Sequence, residues 1–140
     1  MLITEILARN RRMYGEETAL VERAPDIGER KEISWRQFDS EANRFANALI
    51  AHGVEKGDRV VHLMMNCIEW LPCYFGILRS GAWAVPLNFR FDADTLLVCA
   101  RISEARVLLF GEEFIERISA ARGRLDKTVK DYVYLGREEH

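Results

Sequence analysis

Cysteine is scarce in this chain of 140 residues, and the three present, Cys67, Cys73 and Cys99, lie inside apolar segments. No two stand at Cys-x-x-Cys spacing, which argues against a zinc site. An odd count gives no disulfide framework and fits reduced thiols in a cytoplasmic protein, packed as small hydrophobes. The histidines His52, His62 and His140 are too dispersed to form a ligand cluster. Charge of one sign is lacking as well. A net charge of −2 leaves no basic footprint for nucleic acid. No apolar run reaches the length of a membrane-spanning helix. Glu5 interrupts the first apolar run and arginines follow it, so a secretory signal is not expected. The backbone cradles for phosphate, G-x-G-x-x-G and G-x-x-x-x-G-K-[ST], are absent, as is the G-x-S-x-G nucleophile elbow. The carboxylates are scattered, and no two stand out as an acid–base couple.

What is present is an ordinary globular composition, 49% hydrophobic and 30% charged. That length is one domain or a piece of a larger one, and it can bury a real core. Leu2, Ile3, Ile6, Leu7 and Met13 recur at helical spacing, predicting a helix that ends before Gly15. With Arg9, Arg11 and Arg12 beside them, they could touch a membrane surface; docking on the chain's own domain is the expected use. Thr18–Arg23 and Lys31–Ser34 read as strands around the turn residues Pro25, Asp26 and Gly28, a hairpin.

Ser34 and Gln37 form a capping box. Behind it Trp35, Phe38, Ala42, Phe45 and Leu49 line one face of a helix that Gly53 stops. Arg59–Met65 is a nearly continuous apolar strand, as in a sheet covered on both faces. Asn66 with Glu69 repeats the capping pattern for a helix to about Ser80, which leaves Pro72 in its interior or moves the helix start towards it. Ala82–Pro86 reads as a second buried strand. Asp92 caps a helix to about Ser103, and Arg106–Phe110 is a third strand. Glu112–Arg122 reads as a helix stopped by Gly123, and Tyr132–Leu135 as a fourth strand. Trp35 and Trp83 read as core packing; Trp70 is open.

Strands and helices alternate with short connections from residue 59 onward, which implies a parallel sheet. The fold class is therefore α/β: a parallel sheet of about four strands flanked by helices, preceded by a hairpin and a helix. The expected division is 1–56 for the helix, hairpin and amphipathic helix, and 57–140 for the α/β unit.

An ordered series of short motifs runs through residues 15 to 135. It comprises Ser34-Trp35, Glu41-Ala42-Asn43-Arg44, Gly53-Val54-Glu55-Lys56-Gly57-Asp58-Arg59-Val60 and Met64-Met65-Asn66. Arg79-Ser80-Gly81-Ala82, Val85-Pro86-Leu87-Asn88-Phe89-Arg90 and Ala105 to Leu109 complete it. In this order the motifs resemble the N-terminal portion of the AMP-dependent acyl-CoA synthetases and ligases, the adenylate-forming enzymes. Phe89 departs from the family's frequent proline.

The resemblance implies an enzyme that joins a carboxylic acid to CoA through an acyl-adenylate, using ATP and Mg2+. It also implies that the phosphate loop, the nucleotide contacts, the metal-holding acid and the catalytic lysine belong to later segments. No catalytic residue and no metal ligand is then expected among these residues, and the chain alone is expected to be inactive and to hold no cofactor tightly. By the same resemblance Arg90, and less directly Arg101, would approach the phosphates of CoA. Arginine suits that task because its planar fork pairs bidentately with phosphate. The competing role for Arg90 is an ion pair with Asp92 or Asp94. A non-catalytic binding module built on the same fold is the alternative function. Apolar surface and open sheet edges would favour a homodimer of such a fragment.

Overall fold

The computed structural model describes residues 1–136. The order of elements is α1 (Ile3–Tyr14), β1 (Thr18–Ala24), β2 (Glu29–Ser34), α2 (Trp35–Ala51), β3 (Arg59–Leu63), α3 (Trp70–Arg79), β4 (Trp83–Pro86), α4 (Ala93–Ile102), β5 (Val107–Gly111), α5 (Ile115–Leu125) and β6 (Asp131–Leu135). The chain divides into two compact units: residues 1–55 with 66–81, and residues 56–65 with those from 82 onward. The α3 segment, residues 66–81, thus groups with the first unit although it follows β3 of the second.

In the first unit, β1 and β2 form an antiparallel hairpin in which Glu22 faces Lys31. The predicted capping box is present: the Gln37 amide donates to Ser34 Oγ at 3.2 Å, and the Ser34 amide donates to Gln37 Oε1 at 2.8 Å. Gly53 ends α2 at φ 79°, a left-handed conformation that glycine adopts without steric cost. Leu7, Phe38 and Ala42 are the buried centre of this unit, with Leu20, Ile33, Trp35, Leu71 and Phe75 packed around them. Leu7 docks α1 on its own unit, whereas Leu2, Ile3, Ile6 and Met13 of the same segment are exposed. The helices α2 and α3 approach closely at Gly76, where a Cβ would stand 2.9 Å from the Ala42 carbonyl oxygen and from Phe45 Cβ.

In the second unit, four parallel strands lie in the order β4-β3-β5-β6. Val61 and Leu63 of β3 and Leu108 and Phe110 of β5 meet Leu96 and Ala100 of α4 and Ile118, Ala121 and Leu125 of α5. Val60, His62, Val107 and Leu109 on the other face are also buried. Burial on both faces explains why these two strands read as unbroken apolar runs.

Three expectations are corrected. Glu69, not Asn66, precedes α3, and its side chain makes no capping bond. The later start places Pro72 in the first turn, where a missing N–H costs nothing because that turn's amides have no helical partner. β4 is an edge strand rather than a buried one, and Trp83 is 66% exposed, so it is not a core residue. Finally, α5 starts only after a 3-10 turn at Glu112–Phe114 and runs through Gly123 to Leu125.

Candidate functional site

In an open parallel sheet, ligands gather outside the carboxyl ends of the strands, where the loops leave for the helices. At the amino ends here the polar residues are structural. Arg59 donates to the Ser103 carbonyl at 2.7 Å and the Gly57 carbonyl at 3.1 Å, and it pairs with Glu104. Asp58 pairs with Arg106 at 2.8 Å. The Gly-Asp-Arg-Val motif therefore ties the start of β3 to the turn between α4 and β5.

The carboxyl end of β4 is different. The Leu87 amide continues the ladder to the His62 carbonyl at 3.0 Å, and the chain then turns. Asn88 accepts the Arg90 amide on Oδ1 at 2.9 Å, and its carbonyl accepts the Phe91 amide at 3.0 Å. This is the self-bonding turn that asparagine favours. Arg117 of α5 donates from Nη1 to the carbonyls of Phe89 at 2.8 Å and Phe91 at 2.7 Å. One guanidinium thus holds the carbonyls on either side of Arg90. Nothing in the local sequence pointed to Arg117; the asparagine two residues before Arg90 was the visible signal of the turn.

Arg90 itself is exposed, with its guanidinium 5.4 Å from the Phe89 ring centre. It forms no ion pair among the described residues. The carboxylates that could have taken it are occupied elsewhere: Asp92 accepts the Thr95 amide at 2.8 Å as the cap of α4, and Asp94 pairs with Arg124 at 2.7 Å. The cap bond, to the Thr95 side chain and backbone, also holds the Asp92 pKa below its usual value. Arg101 is exposed in the last turn of α4, where a cation complements the helix dipole. Arg101 is the ninth of the ten residues of α4, about 12 Å along the axis from Ala93, which follows Arg90 by three residues. An exposed arginine with no carboxylate partner among the described residues, on a loop pinned from below, has the chemistry to receive a phosphate group.

The remaining candidates carry no chemistry of this kind. Burial raises the thiol pKa values of Cys67 and Cys73 to about 12, so both stay protonated and inert. Among the described residues, no three His, Cys, Asp or Glu side chains converge on a metal position, and no helix is long and apolar enough to cross a membrane. Trp35 packs on the core of the first unit, and Trp70 stacks on Tyr74 at 5.4 Å.

The sequence profile of the AMP-binding enzymes matches residues 7–139. The chain belongs to the AMP-binding enzyme family. Among curated relatives of the family it is 40% identical over 113 residues to a 3-hydroxybenzoate–CoA/4-hydroxybenzoate–CoA ligase of Thauera aromatica, covering 81% of this chain and 20% of the relative. It is 34% identical over 117 residues to the long-chain-fatty-acid–CoA ligase FadD13 of Mycobacterium tuberculosis, covering 82% and 22%. The chain thus spans about a fifth of the length of these relatives.

The inhibitor-bound N-terminal domain of FACL13 from Mycobacterium tuberculosis superposes with a TM-score of 0.85 at 31% identity, over 95% of this chain and 33% of that one. The anthranilate CoA ligase AuaEII in complex with anthranoyl-AMP gives a TM-score of 0.84 at 34% identity, over 94% and 24%. These likenesses agree with the α/β architecture and with the family expected from the ordered motifs.

Proposed function

We propose that this chain is the N-terminal portion of an ATP-dependent acid–CoA ligase that works through an acyl-adenylate. The observation that carries the reading is the family match over residues 7–139, shared with relatives that are CoA ligases. In such an enzyme ATP, with Mg2+, activates the carboxylic acid, and the thiol of CoA accepts the acyl group. The sequence has no glycine-rich phosphate loop, so these residues would not themselves hold ATP or Mg2+. The 140 residues alone are then inactive. By their names the relatives act on hydroxybenzoates and on long-chain fatty acids, and the substrate class these share is a carboxylic acid.

The part given to this chain is to hold a phosphate of CoA. Arg90 would pair with it, Asn88 shapes the turn, and Arg117 keeps that turn in place. Support comes from the exposure of Arg90, its lack of an ion pair among the described residues and its position at the carboxyl end of the sheet. Arg101, in the last turn of α4, would contribute only long-range attraction. Isothermal titration of the chain with CoA, and separately with ATP, tests the reading. Weak CoA binding lost in Arg90→Ala, with no ATP binding, is the expected result. Micromolar ATP binding by these residues alone would overturn it and point to an independent nucleotide-binding module.

A further inference from the structure

We propose that the recess between α1 and the start of α2 is a second phosphate-binding site, formed by Arg11, Arg12 and Arg36. The recess has a volume of about 410 Å3 and is lined by these arginines and Ala8. Arg11 and Arg12 stand in the last turn of α1, and Arg36 is the second residue of α2. The backbone sets the two helices against each other here: the Arg36 amide donates to the Gly15 carbonyl at 3.0 Å, and the Trp35 amide to the Glu17 carbonyl at 3.1 Å.

The charges around the recess do not cancel. Arg11 shares Asp39 at 3.1 Å, but Asp39 also holds Arg79 at 2.6 Å. Arg36 pairs with Glu16 at 2.5 Å, and both side chains are exposed. Arg12 has no ion pair or hydrogen bond among the described residues. With Arg11 and Arg36 each sharing one carboxylate and Arg12 holding none, the recess keeps an excess of positive charge that an anion would neutralise. A phosphate group offers each of them a bidentate acceptor, and the small side chain of Ala8 leaves room for it.

Two sources would supply that chemistry. A soluble phosphate ester would use the arginines alone. A lipid headgroup would use them together with Leu2, Ile3, Ile6 and Met13, the exposed apolar side chains of the same segment. The site is independent of Arg90, which belongs to the other unit of the chain. Failure here would leave the CoA reading untouched, and the converse holds.

The experiment titrates the chain with pyrophosphate and measures co-sedimentation with phosphatidylcholine vesicles, with and without phosphatidylglycerol. The variants are Arg12→Ala/Arg36→Ala and, as a control, Arg44→Ala, an exposed arginine of the same unit that does not line the recess. Circular dichroism checks folding, and Arg12→Lys, which keeps the charge, serves if the double variant is unfolded. Expected is saturable binding that weakens by roughly tenfold or more in the double variant, or measurably in Arg12→Lys, and is unchanged in Arg44→Ala. Binding of pyrophosphate but not vesicles supports a soluble ester; retention on phosphatidylglycerol vesicles alone supports a headgroup. Failure to bind either probe, or binding that none of the Arg12 variants weakens, overturns the site.

Discussion

Asp39 of α2 and Arg79 of α3 form a buried ion pair at 2.6 Å, with the carboxylate side chain only 3% exposed. Arg79 also donates to the Asn43 side chain at 2.9 Å and to the Asp39 carbonyl at 3.1 Å. Arg11 of α1 reaches the second carboxylate oxygen at 3.1 Å. One carboxylate therefore joins three helices. Desolvation offsets much of the attraction in a buried pair, but a single partner left behind is strongly unfavourable.

Removing the carboxylate should therefore cost more than removing the pair. Asp39→Ala is expected to destabilise the chain by about 3–5 kcal/mol. Asp39→Leu combined with Arg79→Met should lose clearly less. Urea unfolding of the three proteins measures both. A double variant as unstable as the single one would show that the pair itself, and not the stranded arginine, provides the stability.

Two glycines in helices should respond in opposite directions to alanine. At Gly76 the new methyl meets the Ala42 carbonyl and Phe45 at 2.9 Å, and overpacking of this kind costs about 1–3 kcal/mol. At Gly123 nothing stands within 4 Å of the added carbon, and helix propensity should stabilise α5 by about 0.5–1 kcal/mol. Thermal unfolding midpoints moving the same way in both variants would contradict this packing of α2 on α3.

His62 is fully buried on β3, with Nε2 3.2 Å from Met64 Sδ, and burial lowers its pKa from 6.5 to about 4. The unfolded chain therefore binds a proton at higher pH than the folded one. Between pH 6.5 and 4 stability should fall as pH falls, by about 3 kcal/mol from this residue, and level off below. His62→Leu should lose that component while keeping the acid response of the carboxylates. Unfolding curves at a series of pH values, compared between the two proteins, would show no difference in slope if His62 were accessible to protons when folded.

Arg117→Ala frees the carbonyls of Phe89 and Phe91. Amide exchange at Phe91 should quicken by about tenfold, the loss of roughly one hydrogen bond's net worth, with α5 itself protected as before. Unchanged exchange would mean that the Asn88 turn holds the loop without help.

Among the described residues β4 and β6 are the edges of the parallel sheet, and they expose Trp83 and Tyr134. Unpaired strand edges with apolar side chains favour pairing with a second copy. Light scattering over a wide concentration range should show a shift from monomer towards dimer. A clean monomer throughout would count against self-association.

Much of the fold was legible because it is written in local chemistry. The Ser34–Gln37 box, the Asp92 cap and the stop at Gly53 each act within a few residues, and each is in place. The apolar run of β3 likewise announced a strand covered on both faces. The error over Trp83 has a clear origin: four apolar residues before a proline look alike at a sheet's centre and at its edge. Asp39 could have been noticed, since it lies four residues after Trp35 and three before Ala42, on the apolar face of α2. Its partners Arg79 and Arg11 could not.

The sequence by itself determined the order of helices and strands, the caps of α2 and α4 and the ordered motifs that mark the family, because periodicity and capping depend on neighbours within about one helical turn. Only the tertiary structure decided which strands are edges, that α3 packs with α2, and which carboxylate each arginine takes. Those choices join residues far apart in the chain, such as Asp39 with Arg79 and Arg59 with Ser103, 40 and 44 positions away. The freedom of Arg90 from Asp92 and Asp94 was settled in the same way, by a competing cap and a competing arginine that only the folded chain brings near.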